Sequence, residues 1–226
     1  METNEKGIAK YQPPTVAELF EQSDSLTTAY ANDQLNALLS VQPPQAWVKE
    51  HPYIKNHKYL PIDKVEYLLR KVFKEFRIEI TNTSTAFNGV VVTVRVHYLN
   101  PATGKWGYHD GIGASQMQTS KGTSPADLSN INNGALSMAY PLAKTLAIKD
   151  ACDMFGNLFG ANLNRRDVLQ NTPDEKLAHV YKSAEQKRRA ELIEACTNVN
   201  DLEKLREDAM VYDLTDLFNQ KYAELQ

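Results

Sequence analysis

Residues 144–164 read KTLAIKDACDMFGNLFGANLN, and this stretch decides the fold. Alanines and then phenylalanines recur every four residues through it and its lead-in: Ala135, Ala139, Ala143, Ala147, Ala151, Phe155 and Phe159. Four-residue spacing draws one continuous ridge along a helix. Small side chains on such a ridge let another element come close, and two rings close it with a large buried area. Asn157, Gly160 and Asn162 supply the residues that end a helix. The spacing therefore predicts a long helix that carries the main packing, followed by a tight turn.

Upstream of the ridge the period changes from four to two. Residues 77–81 (RIEIT) alternate, and residues 87–99 (FNGVVVTVRVHYL) place Val90, Val92, Val94, Val96 and Tyr98 on one side. NPATG at residues 100–104 has the chemistry of a hairpin turn. Residues 105–115 (KWGYHDGIGAS) return as a third strand whose glycines mark bulges or close backbone approach. Before the strands, Ile62, Val65, Leu68, Leu69, Val72, Phe73 and Phe76 form a helical stripe with Pro61 at its start. Residues 117–133 are polar and rich in Gly, Ser and Asn, which predicts a mobile loop. The fold class is thus α+β: a three-stranded antiparallel sheet, a β-β-β-α core, packed on a long helix.

Two flanks complete the chain. Residues 1–52 contain Pro13–Pro14 and Pro43–Pro44, with apolar residues between them for one or two short helices over 15–39. They read as an arm or cap. Residues 171–226 read as a separate helical unit with helices near 175–195, 200–210 and 213–225. The domains expected are an arm at 1–52, a core at 53–170 and a helical tail at 171–226.

Charge follows the same division. The whole chain carries −3. Residues 1–52 hold 3 basic and 7 acidic side chains, residues 53–170 hold 14 and 9, and residues 171–226 hold 8 and 12. A core at +5 between flanks at −4 is a layout suited to anion binding, although solvated faces account for the charge equally well. No run approaches the roughly 18 apolar residues of a membrane span, and the N-terminus lacks a signal-peptide core. Cys152 and Cys196 form no CxxC pair, and Cys152 falls among buried helix positions, so a cytoplasmic location is expected.

Chemistry-bearing motifs are few. No GxSxG, Walker A or GxGxxG sequence occurs, which argues against an ATP-driven machine. His97, His109 and Asp110 are placed to meet on adjacent strands, but no further metal ligand follows at firm spacing. Asp63, Glu79 and Lys105 form the loose acid–acid–lysine set of a nuclease. Basic residues interleaved with aromatics are the richer signal: Lys55, Lys58, Tyr59, Lys64 and Lys71, then Arg95, Lys105, Trp106 and Tyr108, then Arg165 and Arg166. Single-strand binding needs a positive groove for phosphates with rings or backbone that tolerate any base. Trp106 and Tyr108 read more simply as sheet packing, and Arg165–Arg166 as partners of a helix dipole.

Three motifs carry a resemblance: an aromatic residue followed five positions later by a base and Val, at residues 59–65; VRV followed by WGYHDGIG, within residues 94–113; and AIKDACDMFGNLFG, at residues 147–160. Together they resemble the ring-forming single-strand annealing proteins, the eukaryotic Rad-fifty-two family and its phage Sak counterparts, over about residues 53–169. The resemblance implies ATP-independent annealing of complementary strands in recombination and repair, no bond chemistry, no cofactor, and assembly of copies into a ring or helical filament. It implies groove cations at Lys64 and Lys149 and an outer one at Arg166, with Lys71, Lys144, Arg165, Lys105 and Lys121 as supporting DNA-binding positions. Two groove arginines of the eukaryotic motif fall here on Asp150 and Asp153, so the DNA path is expected to differ. The acidic C-terminal helices imply a protein partner such as a single-strand DNA-binding protein. A metal-dependent nuclease and a non-enzymatic scaffold are the rival readings.

Overall fold

The computed structural model describes residues 23–52, 54–124, 126–168 and 171–226. The part of the expected arm before residue 23 lies outside the described residues. The chain divides into a core unit, Gln34–Thr172, and a second unit that joins residues up to Asp33 with Pro173–Gln226.

In the core unit, strands β3 (Phe76–Ala86), β4 (Gly89–Leu99) and β5 (Trp106–Gln116) form one antiparallel sheet in the order β3-β4-β5. Its middle strand follows the period of two: Val90, Val92, Val94 and Val96 are fully buried, while Val91, Thr93, Arg95 and His97 face the other way. The predicted turn closes β4 onto β5, with the Asn100 side-chain oxygen accepting the N–H groups of Ala102 and Thr103. Strand β3 runs longer than its alternation predicts, and a bulge between Ile80 and Asn82 shifts its register against β4.

The alanine part of the ridge is a helix and is buried, whereas Phe155 and Phe159 fall beyond its end, where Gly156 turns the chain, instead of continuing it. Helix α3 (Ala135–Asp153) lies mainly across β5 and β4, with Ala135, Ala139, Ala143, Ala147 and Ala151 all nearly inaccessible. Gly111 and Gly113 explain the fit. A Cβ at Gly111 would overlap the Ala147 carbonyl and Ala151 N–H, and one at Gly113 the Ala143 carbonyl and Ala147 N–H. Alanine on the helix and glycine on the strand together bring two backbones into contact.

Beyond the helix, Phe155 and Phe159 join Phe73, Tyr98 and His109 in one aromatic cluster, with Phe73 and Phe155 centroids 4.4 Å apart. Gly156 turns the chain at φ +117°, and buried Asn157 donates its amide to the Ser40 carbonyl at 2.8 Å. Helix α2 (Ile62–Val72) adds Val65, Leu68 and Leu69 to the same core.

The core begins earlier than the expected boundary at residue 53. Leu39 is buried in it, and Leu35 and Trp47 pack against it, from helix α1 (Ser23–Ser40) and the segment after it. A two-stranded ribbon of β1 (Lys49–Glu50) and β2 (Lys58–Tyr59) follows. The polar loop at 117–133 is more ordered in outline than its composition predicts. It holds a Thr119–Ile131 bridge and a short 3-10 turn at Leu128–Asn130 capped by Asp127.

The second unit has its own small core of Ile193, Leu202, Ala209 and Phe218. Helices α4 (Glu175–Ala195), α5 (Val199–Glu203), α6 (Arg206–Val211) and α7 (Thr215–Leu225) supply it, so the helix expected over 200–210 is broken in two near Lys204–Leu205. Asp174 caps α4 by accepting the Lys176 and Leu177 N–H groups. Among the described residues no helix is long and apolar enough to cross a membrane.

Candidate functional site

A cleft of about 470 Å³ opens where β2, the rim of β5, the end of α3 and the turn after it meet. Tyr59, Ile112, Lys149, Asp150, Asp153 and Asn164 are among its walls. Asn164 builds the entrance: its side chain accepts the Lys58 N–H at 2.7 Å and donates to the Lys58 carbonyl at 2.8 Å, fixing β2 against the turn. Tyr59 is thereby held under Lys149, whose ammonium lies 4.5 Å from the ring centroid.

The two acids at this end of α3 have different roles. Asp150 accepts the Ile112 N–H at 2.9 Å, capping an amide on the unpaired edge of β5. Asp153 has no such partner among the described residues, and burial, followed by the negative charge of Asp150, pushes its carboxyl up to about 6 against the pull of Lys149. Burial also lowers the Lys149 ammonium from its ordinary value, with Asp153 opposing the shift. The cleft therefore couples one cation to an acid that takes up a proton in mildly acidic solution.

A second cluster lies on α2. Lys64 stands 5.7 Å from the Trp47 ring, Trp47 meets Tyr67 edge-on at 5.6 Å, and Lys71 stands 5.6 Å from the Tyr67 ring. Two cations thus bracket two aromatic side chains. Lys64 also pairs with Asp63 at 3.0 Å, which holds the Asp63 carboxyl below its usual range. Lys71 has no carboxylate partner among the described residues. Trp47 escaped the sequence reading because it falls in the segment taken as an arm. The Tyr67–Lys71 pair was legible as an i,i+4 contact on the helix.

The remaining expected cations are dispersed. Lys144 is exposed on α3, Lys105 precedes β5, Lys121 lies in the polar loop, and Arg165 and Arg166 follow the cleft residue Asn164. Of the eight expected positions, Lys149 alone lines the cleft among the described residues, and Lys64 and Lys71 share the α2 cluster.

Other motifs resolve differently from their sequence reading. His109 and Asp110 are neighbours on β5 and so point to opposite faces: His109 enters the aromatic cluster, where burial lowers its pKa, and Asp110 faces outward. His97 pairs across the sheet with Glu79 at 3.0 Å. Arg95 is held by both Asp110 oxygens at 2.7 and 2.8 Å, so its charge is already matched. Asp63, Glu79 and Asp110 thus each serve a different basic partner, and no group of three metal-ligating side chains occurs among the described residues. Trp106 and Tyr108 are not packed inside the sheet; both are more than half exposed. Cys152 is buried in the core, and burial pushes its thiol up, away from reactivity.

No protein-family model matches the chain, and no curated protein matches it in sequence.

Proposed function

We propose that this protein binds single-stranded DNA and anneals complementary strands without ATP, in the manner implied by its resemblance to the ring-forming annealing proteins. The observation that carries this reading is the α2 cluster, in which Lys64 and Lys71 bracket Trp47 and Tyr67. Ammonium groups take phosphates without regard to sequence, and rings offer faces to any base. The cleft adds Lys149, whose amine lies over the Tyr59 ring. Lys144, Arg165, Arg166, Lys105 and Lys121 add exposed positive charge to the same unit.

In this mechanism the protein makes and breaks no bond. It holds the backbone of one strand by its phosphates and leaves base edges open for a second strand. Copies arranged in a ring or helical filament would make the binding track continuous. The second unit, acidic and separately packed, is the surface proposed to recruit a single-strand DNA-binding protein.

Annealing of complementary oligonucleotides, measured without nucleotide and beside electron microscopy of the protein with DNA, tests the reading. Annealing faster than the spontaneous rate is expected. A spontaneous rate in the presence of protein, or magnesium-dependent cleavage of the strands, would overturn it.

A further inference from the structure

We propose that the outward face of the sheet is a second nucleic-acid surface, on which unpaired bases stack against Trp106 and Tyr108 while Arg77 takes a phosphate. The proposal rests on the reading of the protein as a single-strand binder and adds a base-contacting surface to it.

Helix α3 covers one face of the sheet, and no element of the core unit covers the other among the described residues. On that open face β5 presents Trp106, Tyr108 and Ile112 at 57, 55 and 60% exposure. A lone exposed apolar side chain is ordinary, but two neighbouring rings on one face of one edge strand, parted from Ile112 by the outward Asp110, are a patch that calls for a ligand. Side chains two apart on a strand are separated by about 6.8 Å, so each ring has room for its own base in an extended strand.

The chemistry around the rings suits nucleotides better than an apolar partner. Arg95 lies 4.1 Å from the Tyr108 centroid and is locked by both oxygens of Asp110, which fixes the ring in place. A cavity of about 440 Å³ beside Trp106 is lined by Arg77 and His97. Arg77 is largely exposed, and its nearest carboxylate, Glu79, is 3.9 Å away and already bonded to His97 at 3.0 Å. The Arg77 guanidinium thus keeps donors free for a phosphate next to a ring suited to the base. Ile112 and Ala114 also line the Lys149 cleft, so β5 connects the two surfaces along one edge.

The experiment compares wild-type protein with Trp106→Ala and Tyr108→Ala on two probes: oligothymidylate and an abasic strand of the same length. Trp106→Ala is expected to weaken oligothymidylate binding about tenfold and to leave the abasic strand unaffected. Oligothymidylate should quench part of the wild-type tryptophan fluorescence, and Trp106→Phe should abolish that part, leaving the signal of Trp47. Unchanged oligothymidylate affinity and quenching, with Lys71→Ala still weakening both probes, would overturn the sheet surface and leave single-strand binding standing. Wild-type protein that binds neither probe would remove both. A loss of sedimenting mass in Trp106→Ala with base dependence intact would assign the face to contacts between copies, and so overturn the proposal.

Discussion

The Asp150 carboxylate accepts the Ile112 backbone N–H at 2.9 Å, tying the last turns of helix α3 to the free edge of strand β5. This gives a structural reason for an acid at a position where the resemblance implies a groove arginine. A guanidinium has no acceptor and would leave the edge amide uncapped. Asp150→Ala is expected to lower stability by about 1 kcal/mol, the scale of one solvent-accessible hydrogen bond. Faster hydrogen exchange at the Ile112 amide than at its neighbours in β5 would check the cause, and equal exchange would contradict it.

Gly111 and Gly113 make a sharper test of the packing between β5 and α3. Because any Cβ there meets helix backbone, the neighbours cannot yield by turning a side chain. Gly113→Ala is expected to cost about 3 kcal/mol or more, read as a fall in the urea midpoint at constant slope. Gly104→Ala probes something else, since its Cβ would meet nothing and only its positive φ opposes the change. Its effect should be about 1 kcal/mol.

Phosphate contact at the α2 cluster predicts a salt signature. Lys71→Ala should weaken single-strand binding at low salt and reduce the slope of log affinity against log salt by about 0.7, the value for one contact on a single strand. Lys64→Ala should do the same while also releasing Asp63. An unchanged slope in fluorescence anisotropy would remove these lysines from the DNA path.

Asp153 sets a pH dependence. As pH rises through about 6 this carboxyl loses its proton and places a negative charge beside Lys149, so cleft affinity for phosphate should fall across that range. The same group favours the folded state below its unfolded value of 3.8, and that contribution is lost as pH rises through about 6. Asp153→Asn should flatten both trends and raise affinity at neutral pH. A wild-type pH profile in the variant would show that Asp153 does not face the bound strand.

Asn157 links the turn after α3 to the end of α1, donating to the Ser40 carbonyl and accepting from Asn162. Its side chain is buried, so Asn157→Ala leaves partners unsatisfied as well as breaking two bonds. A loss of about 2 kcal/mol in thermal or chemical denaturation is expected.

Periodicity determined the alanine ridge of α3 and the buried valines of β4, because each depends on contacts that repeat along the chain, and the turn chemistry of NPATG marked the hairpin. Only the tertiary structure decided which residues of different elements come together in a cleft, a cluster or a hydrogen bond. Leu39 joins the core from the far side of Pro43–Pro44, and Trp47 packs against it through Tyr67 on α2, although both fall within the expected arm. Arg95 is claimed by a carboxylate on the next strand. Asn164 and Lys58 are 106 residues apart, yet their hydrogen bonds hold Tyr59 beneath Lys149. Local pattern specifies a helix or a strand, whereas a site forms from side chains that only chain closure brings within bonding distance.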